Sequence, residues 1–221
     1  MADLAFADMT LDELRIALAP EIAVAAMFDG WSDAALVSAA ETVGVDPAVA
    51  RLAYKGGPMD MIDGWVASIG AKMEAHFADG RLENMKIRDK IRELVLFRLN
   101  AIAGLEESLR RAMSIQAMPQ NVATALKQGW SSADKMWRLA GDTATDYNHY
   151  TKRAILGSIY GATLAVFVDD DSEDKAETRA FLDRRIDNVM SFEKAKAQLL
   201  GGNREHFDLA RFLGRLRYPQ D

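Results

Sequence analysis

A chain of 221 residues with three histidines (His76, His149 and His206) and no cysteine has few side chains able to do covalent or metal chemistry. The missing cysteines exclude a thiol nucleophile, a disulfide scaffold and any zinc site of the cysteine type. A di-iron helical bundle needs two Glu-x-x-His pairs on separate helices, and Asp146-Tyr147-Asn148-His149 is the one approximate match. The glycines around Ser158 in Leu156-Gly157-Ser158-Ile159-Tyr160 are misplaced for a nucleophile elbow. Gly56-Gly57 and Gly201-Gly202 fit neither phosphate-binding nor dinucleotide-binding loops. The acidic run Asp169 to Asp174 lacks the central glycine and closing glutamate of a calcium loop, and reads as a solvated cap for the helix that follows. The expectation is a protein without catalytic residues, metal site or resident cofactor.

Basic side chains are arranged no more promisingly for nucleic acid. Ser32 as N-cap, the apolar positions Ala35, Leu36, Ala39, Ala40 and Val43, then Gly44, outline one helix and a tight turn. Asp46-Pro47 then starts a short helix ending near Tyr54, which completes a helix-turn-helix outline. From Asp29 to Asp60, however, five acidic residues face two basic ones, Arg51 and Lys55, a local charge of −3. DNA affinity rests on phosphate contacts and base-edge donors, and this segment supplies almost none. The whole-chain charge of −6 points the same way. Nucleic acid is not an expected partner.

The elements that must position any site are helical throughout, with no strand-like alternation. Thr10-Leu11-Asp12-Glu13 has capping-box form, so a helix begins there, and Pro20 is expected to break or restart it. Ile62, Trp65, Val66, Ile69, Met73 and Phe77 recur at helical spacing. So do Ile87, Ile91, Leu94, Ile102, Leu105 and Leu109, and the stretch Leu94 to Leu99 is apolar all round except for Arg98, which places it centrally. Val122, Leu126, Trp130, Ala133 and Trp137 form another apolar stripe, closed by Gly141. Two long helices follow, from about Asp146 to Val168 and from about Asp174 to Leu200. On the first, Gly157, Gly161 and Ala165 share one face, a stripe suited either to a helix crossing within the chain or to a dimer seam. Its apolar run is too interrupted and too short for a membrane span, and the acidic start Met1 to Asp8 is unlike a basic leader.

Residues Met136 to Ala154, with Ala140-Gly141-Asp142 followed by Asp146, Asn148 and Tyr150-Thr151-Lys152-Arg153, resemble the ninth accessory-protein family of coenzyme Q (ubiquinone) biosynthesis. Phe181 to Ile186 and Gly30-Trp31 with the helix-turn-helix extend the resemblance over roughly residues 20–200. It implies an all-α, TetR-like fold: an N-terminal three-helix unit, then a ligand domain that dimerises through its last two long helices, raising the seam reading of Gly157, Gly161 and Ala165. It also implies a cavity for isoprenoid or phospholipid, lost DNA reading, and a non-enzymatic role presenting quinone precursors to a membrane-associated di-iron hydroxylase. Carried over by position, the partner surface comprises Met136, Asp146, His149 and Tyr150, with His149 standing where many relatives carry tryptophan. Trp137, Gly141, Asp142, Asn148 and Arg153 complete the motif, in a lipid or partner role. Helix capping explains Asp142, Asp146 and Asn148 equally well, and Arg153 could simply pair with a nearby carboxylate.

The expected organisation is residues 1–57 as the helical unit with a degenerate helix-turn-helix, 58–200 as the lipid and dimer domain, and 201–221 as a basic tail. Residues 203–217 carry four arginines against Glu205 and Asp208, a charge of +2. Arg204, Arg211 and Arg215 oppose an apolar face of Leu209, Phe212, Leu213 and Leu216, the composition of a helix lying on an anionic membrane surface. Packing back onto the protein would use the same face. The eleven methionines suit a cavity that repacks around a flexible ligand, or ordinary core filling. The location implied is cytoplasmic, peripheral to a bacterial inner membrane. The rival reading is a ligand-responsive TetR-type transcriptional regulator.

Overall fold

The computed structural model describes residues 6–145 and 147–200, and within them the chain forms nine α-helices and no strand. Asp146 and the tail residues Arg204, Leu209, Arg211, Phe212, Leu213, Arg215 and Leu216 lie outside the described residues. Among the described residues, those up to Asp183 form one compact unit, and those from Arg184 a second.

Helix α1 (Leu11–Asp29) opens with the capping box: Glu13 N–H donates to Thr10 Oγ1, and Thr10 N–H donates to Glu13 Oε2 at 2.9 Å. Pro20 does not break it, contrary to the sequence expectation, and the helix runs through. A mid-helix proline costs roughly 3 kcal/mol. Leu14, Leu18 and Ile22, all buried on the same helix, each return roughly 1.5–3 kcal/mol. Burial of that face against α2 and α4 therefore outweighs the lost hydrogen bond.

Helices α2 (Asp33–Thr42) and α3 (Pro47–Ala53) are capped as the sequence indicates, by Ser32 to Ala35 N–H and by Asp46 to Ala48 N–H, with Gly44 at φ +74° between them. Helix α4 (Pro58–His76) follows. Trp31 joins this N-terminal part to the rest: its Nε1–H donates to the Ser108 carbonyl at 2.9 Å, and its ring lies 5.3 Å from that of Trp65.

The stripe from Ile87 to Leu109 is two helices, not one. Helix α5 (Ile87–Asn100) ends in a turn with Gly104 at φ +83°, and α6 (Glu106–Gln116) packs back on α1, α4 and α8. The left-handed glycine makes the reversal possible, and Ile102 plugs the turn at 1% exposure. Helix α5 is central as expected, and Arg98 is buried with its apolar neighbours. Helices α7 (Val122–Leu139), α8 (Tyr147–Asp169) and α9 (Ala176–Leu200) complete the described residues. Before α9, Asp170 accepts hydrogen bonds from Thr178 N–H at 2.8 Å and from Thr178 Oγ1–H at 2.6 Å, so the acidic loop caps that helix. Burial raises the Asp170 pKa, but the Ser172 and Thr178 donors outweigh it and hold the carboxylate far below its usual range.

Candidate functional site

Helix α7 sets the site because its apolar stripe does not fit wholly into the core. Ala133 and Met136 are buried, whereas Val122, Leu126 and Trp130 remain exposed, Leu126 by 70%. These three line a cavity of about 680 Å³ that is walled also by α4, α6 and α8. Trp65 and Ile69 of α4 and Tyr160 and Leu164 of α8 give it aromatic and aliphatic walls. A volume of this size is that of a small-molecule or lipid pocket. Of the described methionines Met113 lines it, while Met61, Met73 and Met136 fill the core.

Small residues admit the cavity between the helices. A Cβ at Gly157 would lie 3.9 Å from the Gly129 carbonyl and 4.0 Å from Ala133 Cβ, so α8 approaches α7 closely within the chain at this position. Gly161 has nothing within 4 Å of such a Cβ and lines the cavity, and Ala165 is exposed. The stripe is therefore not used as one unit inside the chain.

At one end of the cavity the motif residues build the α7–α8 turn. Gly141, at φ +91°, ends α7 in a Schellman arrangement: its N–H donates to the Arg138 carbonyl, and Asp142 N–H donates to that of Trp137 at 2.9 Å. Arg153, 2% exposed, reaches back from α8 and binds two carboxylates, Asp134 at 2.6 Å through Nε and Asp142 at 2.9 Å through Nη1. Its Nη1 also donates to the His149 carbonyl. Lys152 Nζ takes the other Asp142 oxygen at 2.6 Å and lies 5.3 Å from the Trp137 ring centre, while Trp137 Nε1–H donates to the Lys152 carbonyl. Burial pushes the Asp142 pKa up most, yet the hydrogen bonds and charges of Lys152 and Arg153 together hold it below the usual carboxylate value. Asp134 is lowered by the same balance, with Arg153 and Arg138 as its partners. So Trp137, Asp142 and Arg153 join one network across the α7–α8 turn, a role the sequence left open; its other anchor, Asp134, carries no mark in the sequence beyond lying on α7.

Of the expected partner residues, Tyr150 is 61% exposed and His149 half-buried, with its Nδ1 2.9 Å from the Ala144 carbonyl. Their rings meet edge to face at 5.1 Å, and Trp130 lies 6.0 Å from Tyr150 and 6.4 Å from His149. Trp130 thus belongs both to the cavity wall and to an aromatic rim that the motif alone did not include. Met136 is fully enclosed and does not share the exposed surface expected of it, whereas Asn148 is exposed. On the helix-turn-helix, Arg51 is engaged within the chain, its Nε and Nη2 both at 2.7 Å from the two oxygens of Asp33.

Residues 122–193 match the protein family COQ9. Over 177 residues the chain is 32% identical to the mitochondrial ubiquinone biosynthesis protein COQ9 of Rattus norvegicus, a match covering 77% of this chain and 56% of that protein. The Homo sapiens protein of the same name is 30% identical, with 77% and 55% covered, and that of Drosophila melanogaster 26%, with 78% and 54% covered. The chain thus spans about half the length of the curated relatives it matches. A crystal structure of a TetR transcriptional regulator from Nitrosomonas europaea superposes with a TM-score of 0.62 at 19% identity, covering 78% of this chain and 95% of that one. The fold is TetR-like.

Proposed function

On the match of residues 122–193 to the COQ9 family, we propose that the chain is a non-enzymatic lipid-binding accessory protein of ubiquinone biosynthesis. It holds an isoprenoid quinone precursor in the cavity and presents it, past the aromatic rim, to the pathway's di-iron hydroxylase at the membrane. The observation that carries this reading is the apolar cavity of about 680 Å³ opening beside Leu126 and Trp130. A prenyl tail burying several hundred Å² there would gain on the order of 10 kcal/mol gross at about 25 cal/mol per Å². Association entropy offsets a large part of that gain. No helix among the described residues is long and apolar enough to cross a membrane, so attachment in this reading is peripheral. The basic tail supplies it on the cytoplasmic face of a bacterial inner membrane, and a homodimer through α8 and α9 is part of the same proposal. The relatives named above are mitochondrial.

Trp65 and Trp130 line the cavity and report its occupancy. Titration with a prenylated benzoquinone is expected to quench tryptophan fluorescence saturably, and the same quinone without its tail is expected not to. Linear, unsaturable quenching by both would count against the cavity reading. Replacing the exposed Tyr150 by alanine is expected to reduce capture of the hydroxylase at least about tenfold, as for an aromatic hot spot, with an unchanged melting temperature. Undiminished capture would remove Tyr150 from the contact surface.

The rival, a TetR-type regulator, rests on the fold. Arg51, the one arginine of α3, is held by Asp33 and would have to be released to reach a phosphate.

A further inference from the structure

Among the polar side chains that line the cavity, most have their hydrogen bonds committed. Gln128 donates to Asp63 and accepts from Gln116, Ser158 donates to the Ile155 carbonyl, and Arg153 is paired twice. Arg98 differs from these in holding buried, charged donors that lack partners. It lines the cavity, is 1% exposed, and has two partners: Ser132 Oγ, which accepts from Nη2 at 3.1 Å, and the Tyr160 ring, whose centre lies 5.1 Å from the guanidinium carbon. Its Nε and Nη1 have no hydrogen-bond partner. A buried guanidinium charge without a counter-ion is strongly unfavourable. A hydroxyl and a ring face offset only part of that. Ser132 and Tyr160 also line the cavity, so the cation stands among cavity groups rather than behind them.

We infer that the cavity's occupant is an amphiphile with an acidic oxygen head (carboxylate, phenolate or phosphate), whose negative charge is taken by Arg98 while its apolar tail fills the space between α4, α6, α7 and α8. The inference rests on the lipid-cavity reading above and assigns the head-group chemistry within it. A neutral hydrocarbon would fill the cavity but leave the cation uncompensated. An acidic head supplies charge-assisted hydrogen bonds, the strong class, to the two guanidinium nitrogens that lack partners.

The test uses the full chain and the neutral fluorophore N-phenyl-1-naphthylamine, displaced by oleate or by methyl oleate, which share a tail and differ in head charge. Oleate is expected to displace the fluorophore at concentrations at least about tenfold lower than methyl oleate, the scale of a charged hydrogen bond. In Arg98→Met the ratio is expected to fall to about one, with methyl oleate affinity unchanged within about threefold; that unchanged affinity shows an intact cavity. Equal displacement by both in the wild type, or a ratio that survives in Arg98→Met, would overturn the assignment of Arg98 and leave the cavity reading standing. Failure of the fluorophore and both lipids to bind the wild type would overturn the cavity reading itself, and this inference with it.

Discussion

Replacing Arg153 by methionine is expected to destabilise the protein by about 3 kcal/mol, the loss that follows when one partner of a buried ion pair is removed. For a chain of this length that is a fall in melting temperature of about 10 °C, at about 2–4 °C per kcal/mol. The cause is not the lost guanidinium itself. Asp142, whose side chain is 4% exposed, and Asp134, 20% exposed, lose the cation that bridges them. Adding Asp142→Asn to the variant is therefore expected to recover part of the loss. An unchanged melting temperature in Arg153→Met would show that the bridge between α7 and α8 contributes nothing.

The same network carries a pH signature. Asp134 and Asp142 have folded-state pKa values below the usual carboxylate value, so the unfolded chain takes up protons first as pH falls. Their contribution is complete above about pH 4, the unfolded carboxylate range, and is lost as pH drops through the lower folded values. The stability difference between wild type and Arg153→Met is expected to hold constant from neutrality to about pH 4 and to shrink below it.

Gly129→Phe is expected to empty the cavity. Gly129 lines it from α7, its backbone is helical, and a Cβ built on it meets nothing within 4 Å. The ring fills open space rather than a packed core, so the overpacking cost of about 1–3 kcal/mol does not arise. Exchanging a helical glycine gains a few tenths of a kcal/mol. Lipid affinity is expected to fall at least about tenfold while the melting temperature holds or rises. A variant that binds lipid as the wild type does would show that this space is not where lipid sits.

Much of the fold is legible in the sequence because local chemistry dictates it. The Thr10–Glu13 box, the Ser32 and Asp46 caps, Gly44 and Gly141 stand where read, since each satisfies backbone groups that its own neighbours leave open. Pro20 is misread because tertiary burial, invisible to a local rule, overrides it. The α5–α6 break is missed because Ile102 and Leu105 continue the helical spacing across a turn made by Gly104.

The site is less legible, for a physical reason. A stripe such as Val122, Leu126 and Trp130 looks the same whether it faces a packed core or a void, and here it faces a void. The usable signal was a lone charge in an apolar run: Arg98 on the central helix has no sequence-local carboxylate to explain its burial. The motif from Trp137 to Arg153 was read for its resemblance, yet much of its chemistry is spent joining α7 to α8, while Asn148 and Tyr150 stay exposed and Trp130, outside the motif, joins the rim.

Native mass spectrometry of the gently purified wild type beside Gly129→Phe decides whether the cavity holds lipid. The expected result is a wild-type protomer carrying one added mass, identified after solvent extraction as an isoprenoid or phospholipid, and a bare variant. A bare wild type, or the same adduct on both proteins, would contradict it.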